Sequence, residues 1–390
     1  MDAARSRVRA KEGSEQPLKK VAHVITTLKR PEEANTLRRI YGSGFFLIGL
    51  SPSKKHRDLY FKERGIDGET AARLIKTDKQ ELVTFGQQTE ETFHLADVFV
   101  SVDGDEHKVQ IERFLDLVFG KPTITPSKQE QAMFMAYTAS LRSGDLSRQV
   151  GAAIVNEDGD LLSVGCNEVP KAFGGIYGPD DPEEKRFRDM ERGEDSNEIE
   201  KLEMIRKILE VLKPDETDLR KARLLLKSTG LTDITEFGRT VHTEMDALLA
   251  CARTSRSPRG AVLYSTTFPC HNCCRHIIAA GISKVVYIEP YAKSKAPELH
   301  SDAISIEQEV EGMVPFLAFT GVGPRRYFDL FSLKLSTGYP VERKKDGKLV
   351  EWDRNSAAPR LQLQPDSYLD RERLAWQSLN KLLSDCATRE

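Results

Sequence analysis

A histidine, a glutamate and two cysteines are spaced as the working groups of a metal site. His242 precedes Glu244 by two residues, and Cys270 and Cys273 form a Cys-x-x-Cys pair further along the chain. Zinc prefers imidazole and thiolate ligands, and a catalytic zinc site has three protein ligands and an open fourth position. We therefore predict a Zn²⁺ site formed by His242, Cys270 and Cys273. Glu244 is poorly placed to be a fourth ligand, but it can reach a water molecule at the metal and serve as the general acid/base.

Two helices and two strands are predicted around these positions. Good helix formers with an apolar face run over residues 242–252, and residues 270–280 predict a second helix that ends at Gly281. The partial positive charge at a helix N-terminus lowers a thiol pKa and so favours the thiolates that a metal needs. Apolar segments at 261–265 and 284–288 predict strands. Two helices that bracket a strand would bring all three ligands to one metal.

A structural zinc site, or a Cys/His cluster without a metal, is the alternative interpretation of these residues. A structural site normally completes its tetrahedron with a fourth Cys or His, and Cys274 and His271 are the nearby candidates. The combined motif favours catalysis, since it resembles the signature of the zinc-dependent nucleobase deaminases. Two thiolates and a neutral imidazole cancel the charge of Zn²⁺, so a carboxylate is needed to take the proton of the attacking water. We infer that Glu244 then protonates N3 of a cytosine ring and assists the departure of ammonia.

Two further segments extend the resemblance. Residues 147–155 resemble the opening strand of deoxycytidylate deaminases, and an Asn-x-x-Pro segment follows the return strand, as in that family. The resemblance implies that Asn167 contacts the nucleoside sugar, although an asparagine here can also bond its own backbone in a turn. It implies that Arg148 meets the nucleotide phosphate, with Lys171 as a second candidate. A solvated surface position is the alternative for the arginine.

The stretch after the second predicted strand adds two more candidates, Tyr291 and Lys293. In the deaminase fold this stretch lies near the mouth of the substrate pocket, so the resemblance implies base or phosphate contacts for both. The predicted substrate-binding set is therefore Asn167, Arg148, Lys171, Tyr291 and Lys293.

The first 120 residues predict a separate α/β unit. Apolar segments at 21–25, 45–50 and 98–102 predict strands, and helical stretches lie between and after them. Continuous apolar strands that alternate with helices indicate a parallel sheet covered on both faces. The pattern resembles part of a P-loop kinase-like domain, but the chain has no Gly-x-x-x-x-Gly-Lys-Ser/Thr segment. We therefore expect a degenerate domain without ATP hydrolysis or phosphoryl transfer.

The domain organisation is predicted from composition and from a linker at 120–127. The expected fold class is α/β: a cytidine-deaminase-like three-layer α/β/α domain preceded by a partial P-loop kinase-like parallel α/β domain. The deaminase domain carries a large insertion with a helical apolar stripe, for which packing, a lid over the site and a subunit contact all stay open. The predicted segments are a polar N-terminal segment at 1–20, the kinase-like domain at 21–120, the deaminase domain at 127–336 with its insertion at 172–238, and a charged C-terminal extension at 337–390.

Composition and charge point to a cytosolic enzyme. The formal net charge of −2 gives no general attraction to nucleic acid, so no nucleic-acid partner is expected. The six cysteines do not look like a disulfide framework and suit a reducing compartment. The sequence shows neither the apolar core of a signal peptide nor an apolar run long enough to span a membrane. We therefore expect a cytoplasmic protein with no membrane partner.

Most of residues 20–336 resembles the bacterial anti-phage deoxycytidine-nucleotide deaminases, which join a P-loop kinase-like N-terminal domain to a deaminase domain. The resemblance implies hydrolytic deamination of dCMP or dCTP to the deoxyuridine nucleotide, which drains a pool that a phage needs. It also implies a homo-oligomer. Three alternatives stay open: a housekeeping dCMP deaminase for thymidylate supply, a polynucleotide cytosine deaminase, and a nucleotide-sensing scaffold.

Overall fold

The computed structural model describes residues 21–79, 88–212, 218–226, 229–231, 234, 236–291, 294–361 and 365–387. Within these residues no helix is long and apolar enough to cross a membrane. The strands, in chain order, are β1 (Ile48–Ser51), β2 (Val98–Ser101), β3 (Gly151–Val155), β4 (Leu161–Cys166), β5 (Val262–Thr267), β6 (Lys284–Glu289), β7 (Ile304–Ile306), β8 (Val314–Ala318), β9 (Gly321–Val322), β10 (Lys344–Lys345) and β11 (Lys348–Leu349).

Helices alternate with these strands through most of the chain. In chain order they are α1 (Pro31–Tyr41), α2 (Lys54–Glu63), α3 (Gly68–Lys79), α4 (Thr89–Phe93), α5 (Glu106–Val118), α6 (Lys128–Ser140), α7 (Asp189–Arg192), α8 (Ser196–Leu212), α9 (Leu219–Leu226), α10 (Thr243–Arg253), α11 (His271–Ala279), α12 (Ala296–Leu299), α13 (Tyr327–Phe331) and α14 (Pro365–Ala387). Short 3₁₀ turns lie at Gly42–Gly44, Glu183–Lys185 and Pro324–Arg326.

The chain divides into two compact units. The central unit is Pro126–Thr320, and the terminal unit combines Met1–Thr125 with Gly321–Glu390. The central unit contains a six-stranded sheet of order β4-β3-β5-β6-β8-β7. In this sheet β3 pairs antiparallel with β4 and β5, whereas β5, β6, β8 and β7 run parallel. Since β5 and β6 are parallel neighbours, their carboxyl ends lie at one edge, where the segments carrying Cys270 and Tyr291 begin.

Helices cover both faces of this sheet. Gly151 and Ala152 are neighbours in β3, so they face opposite sides. On the side of Gly151 lies α6, so close that an added Cβ would be 1.9 Å from the carbonyl oxygen of Ala136. On the other side lies α10, whose Ala247 belongs to the same buried cluster as Ala152. The central unit is therefore a mixed three-layer α/β/α unit, with a sheet that is mostly parallel.

The insertion predicted at 172–238 contains regular structure. Its glycine- and acid-rich first part includes the turn at Glu183–Lys185 and helix α7, and the predicted apolar stripe forms α8. One buried ion pair ties this segment to the sheet, because Arg188 lies 3.2 Å from the carboxylate of Glu168. Glu168 is fully buried, and its carboxylate also accepts a hydrogen bond from the backbone of Gly144 at 2.7 Å. The described part of the insertion is thus anchored at Arg188.

The terminal unit has a three-stranded sheet of order β1-β2-β9, in which β1 and β2 are parallel and β9 is antiparallel to β2. Asp97, just before β2, is 1 % exposed and lies 3.0 Å from Arg38 and 3.2 Å from Arg326. The parallel β1–β2 pair agrees with the predicted parallel α/β arrangement. The kinase-like assignment of this unit stays a prediction.

One expectation about the terminal unit is wrong. Residues 21–25 do not form a strand, and Val24 is 87 % exposed, so this segment has no sheet on which to bury its apolar side chains. The deaminase domain is predicted to end at residue 336, and that boundary stays a prediction; the compact central unit of the structure ends at Thr320. Beyond it, β9 pairs with β2, and Val322 and Leu330 enter the buried cluster of the terminal unit. A two-residue strand whose partner lies far away in the sequence leaves no local pattern that could predict it.

Candidate active site

Three donor side chains meet where α10 and α11 begin. His242 is the N-cap residue of α10, and Cys270 is the N-cap residue of α11. Nδ1 of His242 lies 3.3 Å from Sγ of Cys270 and 3.4 Å from Sγ of Cys273. All three donor atoms lie within 4.8 Å of one another. The side chains that the sequence predicts as metal ligands are therefore brought to one point.

The donor set fits a zinc ion. With Zn–S distances of about 2.3 Å and Zn–N distances of about 2.0–2.1 Å, adjacent nitrogen and sulfur ligands of a tetrahedron lie about 3.5 Å apart. The observed separations of 3.3 and 3.4 Å are close to that value. Cys274, one of the spare candidates, is fully buried, and burial raises the pKa of its thiol to about 12. In the described part of the chain the group has three donors and no fourth, the pattern of a catalytic rather than a structural zinc site.

The start of α11 favours a thiolate at Cys270. Hydrogen bonding from the Cys273 side chain, with further contributions from His242 and the Cys273 backbone, lowers the pKa of Cys270 to about 4. The same contact, together with burial, raises the pKa of Cys273. The hydrogen bond to Cys270 raises the pKa of His242. The lowered pKa favours the thiolate form of Cys270, which is the form in which a cysteine binds a metal.

Glu244 lies in the first turn of α10 and is almost completely buried, with 4 % of its surface exposed. Oγ of Ser265, on β5, donates a hydrogen bond to one of its carboxylate oxygens at 3.4 Å. Burial, followed by the charge of Cys270, raises the pKa of this carboxyl. A raised pKa brings the group nearer to the range in which it can both accept and release a proton, as a general acid/base must.

An open cleft gives access to these groups. His242, Glu244 and Cys270 lie on its wall, and Phe268 adds an aromatic side chain beside them. The remaining walls come from the loop before β3, from the ends of the central strands and from the insertion: Asp145, Leu146, Ser147, Arg148, Val150, Asn167, Asp189, Asp195, Asn197, Gly238, Thr240, Thr243, Thr267 and Tyr291.

Asn167 lines this cleft, but its amide is engaged with the backbone. Its Oδ1 accepts a hydrogen bond from the backbone N–H of Val150 at 2.8 Å. Its Nδ2 donates to the backbone carbonyl of Arg148 at the same distance. These two bonds fix the chain where it enters β3. Asn167 therefore holds the Arg148 segment in position. The second N–H of its amide is the group left for the predicted contact with the sugar, which stays a prediction.

Arg148 and Tyr291 both line the cleft and lie against each other. The guanidinium carbon of Arg148 is 5.1 Å from the centroid of the Tyr291 ring, within the range of a cation–π contact. Arg148 also lies 3.7 Å from the carboxylate of Glu289, which sequence reasoning did not select. The signal available for Glu289 was its position at the end of a central parallel strand, the edge at which such sheets bind ligands.

Of the two lysines predicted to bind substrate, the structure describes only Lys171. Nζ of Lys171 lies 2.6 Å from Asp181, and this hydrogen bond lowers the pKa of Asp181. Lys171 does not line the cleft, so its assignment as a phosphate contact is not supported. A nearby carboxylate has neutralised the charge that made it a candidate. Lys293 lies outside the residues that the structure describes.

The insertion supplies part of the cleft wall. The sequence analysis did not identify the individual residues of the insertion that line it. Asp189, Asp195 and Asn197 line the cleft from this segment. Asp189 is 7 % exposed and lies 2.9 Å from the guanidinium of Arg239. Their chemistry would not have identified them, since acidic residues in a surface insertion are usually solvated. Only the anchoring of the insertion beside the cleft reveals them.

Comparison with known proteins matches residues 126–289 to the cytidine and deoxycytidylate deaminase zinc-binding region. The matched segment contains His242, Glu244, Cys270 and Cys273. Residues 126–289 are therefore similar to this family region, which is described as zinc-binding. In this chain the His/Cys/Cys group is the set that could hold the ion.

Curated relatives match parts of this chain. ComE operon protein 2 of Bacillus subtilis (strain 168) is 42 % identical over 79 residues, which cover 20 % of this chain and 42 % of that protein. The deoxycytidylate deaminase of enterobacteria phage T4 is 44 % identical over 55 residues, 14 % of this chain and 28 % of that enzyme. The deoxycytidylate deaminase of Mus musculus is 24 % identical over 159 residues, 41 % of this chain and 63 % of that enzyme. The chain thus spans less than half the length of the first two relatives.

Among solved structures, the dCMP deaminase of cyanophage S-TIM5 in complex with dCMP and dUMP is 20 % identical to this chain. The match covers 50 % of this chain and all of that one, with a TM-score of 0.30.

Proposed function

We propose that this chain is a zinc-dependent hydrolase that removes the exocyclic amino group of a deoxycytidine nucleotide, dCMP or dCTP, to give the deoxyuridine nucleotide and ammonia. The observation that carries the proposal is the meeting of His242, Cys270 and Cys273 beside the buried carboxyl of Glu244 in one cleft. The deaminase family of residues 126–289 and its deoxycytidylate deaminase relatives support the same reaction.

The residues take separate roles in this proposal. His242, Cys270 and Cys273 would hold the zinc ion, which when bound supplies Lewis-acid activation of water. Glu244 accepts a proton from the attacking water and passes it to N3 of the cytosine ring as C4 is attacked. The same carboxylate then takes the remaining proton from the C4 hydroxyl and delivers it to the departing amine, so that the C4=O bond forms as the C4–N bond breaks. Burial helps Glu244 in both steps, since a carboxyl with a raised pKa returns its proton more readily.

The cleft also offers groups for the rest of the nucleotide. Phe268 provides an apolar aromatic surface beside Cys270, suited to the face of a base. Arg148, supported by Tyr291, is the proposed contact for the phosphate. One N–H of the Asn167 amide bonds the backbone, and the second N–H is proposed to contact the sugar.

A parallel deamination assay tests the proposal. Zinc-loaded protein would be offered dCMP, dCTP, CMP, cytidine and single-stranded DNA, with Glu244→Gln as the matched variant. We expect uracil product from dCMP or dCTP, and a loss of kcat in the variant of about 10²–10⁴, the usual contribution of a general acid/base. Zinc content, measured by elemental analysis, should be the same in both proteins. Turnover of the DNA but of no free nucleotide would instead identify a polynucleotide deaminase.

In the cell, we assign this reaction to anti-phage nucleotide depletion. The support is the resemblance of residues 20–336 to anti-phage deaminases that carry an additional N-terminal domain. The Glu244→Gln variant tests this role as well: wild-type protein should lower the deoxycytidine nucleotide pool of phage-infected cells and restrict phage growth, and the variant should do neither. An active enzyme that leaves phage growth unchanged would indicate a housekeeping dCMP deaminase.

A further inference from the structure

Two contacts of Arg148 act on it in different ways. Its guanidinium nitrogen lies 3.7 Å from Oε1 of Glu289, which is beyond a hydrogen-bond distance. The Tyr291 ring, at 5.1 Å from the guanidinium carbon, lies within the range of a cation–π contact. Tyr291 therefore supports the position of the arginine without help from Glu289. What Glu289 contributes to Arg148 is negative charge.

The carboxylate of Glu289 is held independently of Arg148. Thr267 and Glu289 are register partners at the ends of the parallel strands β5 and β6. Oγ1 of Thr267 donates a hydrogen bond to Oε2 of Glu289 at 3.0 Å. Because Thr267 fixes it, the carboxylate stays beside Arg148 when the arginine engages a ligand.

The charge of the cleft is otherwise unfavourable to a highly charged ligand. Of the described residues that line it, Arg148 is the one Lys or Arg side chain. Four acidic side chains, those of Asp145, Asp189, Asp195 and the buried Glu244, lie on the same walls, and Asp189 is paired with Arg239. A nucleoside triphosphate brings about two more negative charges than a monophosphate, and each is repelled by nearby carboxylates. A cleft with one cation and several carboxylates therefore suits a ligand with one phosphate group better than a ligand with three phosphate groups.

We propose that Glu289 is a specificity-determining residue that biases the cleft toward the nucleoside monophosphate, dCMP, over the triphosphate, dCTP, by offsetting part of the charge of Arg148. The inference rests on the proposed function, because it takes Arg148 as the phosphate contact. It concerns the balance between two substrates that share the same base and sugar. Any effect must therefore arise from the phosphates.

The test removes the charge and keeps the shape. Glu289→Gln leaves an oxygen that can still accept the hydrogen bond from Thr267. Glu309→Gln is the matched control, because Glu309 pairs with Lys284, the first residue of the same strand, whereas Glu289 lies beside Arg148. Both variants and wild-type protein would be compared in kcat/KM for dCMP and dCTP. Equilibrium dialysis of both nucleotides would be run in a Glu244→Gln background, so that no substrate is consumed.

We expect Glu289→Gln to raise the dCTP-to-dCMP ratio about fivefold, in kcat/KM and in affinity. This is the size of the Coulomb repulsion between one charge and two others roughly 8 Å away in water. The difference should shrink as salt is added, since salt screens exposed charges. Glu309→Gln should leave the ratio at the wild-type value.

Other outcomes would overturn the inference. An unchanged ratio would show that Glu289 does not discriminate between phosphates, and an equal loss of both nucleotides would show that it orients Arg148 instead. Binding separates this inference from the proposed function. If wild-type protein binds nucleotides but deaminates none, the proposed function fails, and the affinity ratio still decides the role of Glu289. Absence of nucleotide binding in every variant would overturn both.

Discussion

Asn167 shows how the fold can give a residue a task that its motif does not reveal. The Asn-x-x-Pro segment suggests a substrate contact, yet both ends of the amide bond the backbone of the segment that carries Arg148. Asparagine suits this task because its amide offers a donor and an acceptor at once. At this scale, the function of Arg148 depends on a neighbour in space that is remote in sequence.

The variant Asn167→Ala should therefore act on the phosphate end of the site. It leaves the buried N–H of Val150 without its partner, which costs about 1–3 kcal/mol of unfolding free energy. It also releases the Arg148 segment, so KM for the nucleotide should rise several-fold while zinc content stays at the wild-type level. The control is Asn156→Ala, in the turn between β3 and β4, where the amide donates to Asp160 outside the cleft. An equal rise of KM in both variants would show that Asn167 has no special relation to Arg148.

At the scale of elements, the active site depends on how closely helices approach the central sheet. α10 and α11 both begin at the site, and each contributes its N-cap residue as a metal donor. On the opposite face, α6 approaches β3 so closely that Gly151 has no room for a side chain. The backbone that leads from Arg148 into β3 is thus held from both sides of the sheet.

The variant Gly151→Ala should push α6 and β3 apart. The new Cβ would lie 1.9 Å from a backbone carbonyl oxygen, so the neighbouring element has to move. We expect a loss of about 1–3 kcal/mol of unfolding free energy, as for other overpacked cores, and reduced activity because β3 adjoins the Arg148 segment. Thermal unfolding followed by circular dichroism measures the loss. Gly178→Ala, where an added Cβ meets nothing within 4 Å, should stay near wild type; equal losses in both would contradict the packing argument.

At the scale of the whole molecule, the terminal unit is assembled from both ends of the chain. Residues that follow the central unit supply β9 and part of the buried cluster around Val98 and Phe114. A second link is ionic: Asp116 in α5 is buried and accepts hydrogen bonds from Lys121 at 2.9 Å and from Arg354 at 2.8 Å. The central unit is thus an insertion between two parts of the terminal unit in the sequence.

The stability of the terminal unit should consequently fall in acid. Burial alone would raise the pKa of Asp116, but hydrogen bonds from Lys121 and Arg354 outweigh it and hold the pKa below its usual value. A lowered folded-state pKa gives stability that is present above the unfolded pKa of about 3.9 and is lost as pH falls through the folded pKa. Asp116→Asn should cost about 1 kcal/mol at pH 7, and the difference from wild type should vanish at low pH.

The measurement is urea unfolding followed by tryptophan fluorescence, since both tryptophans, Trp352 and Trp376, lie in the terminal unit. Asp105→Asn is the matched control in the same region, because that side chain is 94 % exposed. A difference between Asp116→Asn and wild type that persists at low pH would contradict the ionic explanation.

The sequence predicted those parts of the candidate site that depend on residues close together in the chain, and it missed contacts between residues that are far apart in it. The four residues His242, Glu244, Cys270 and Cys273 form short motifs at helix starts, where ligand type and spacing are constrained over only a few residues. The flanking helices and strands of the central unit were predicted for the same reason. The partner of Lys171, Asp181, lies in the insertion and could not be inferred from the lysine alone, and the phosphate contact of Lys171 stays a prediction.

The sequence by itself therefore predicted the three candidate metal donors, the candidate acid/base carboxyl and the α/β class of the central unit, because each depends on local spacing and local periodicity. Tertiary structure alone decided which groups surround them. It joined Arg148 to Glu289 and Tyr291, engaged Asn167 with the backbone, placed the insertion on the cleft wall and brought residues after 320 into the terminal unit. These partners are far apart along the chain, and only the folded arrangement of strands and helices sets the distances between them.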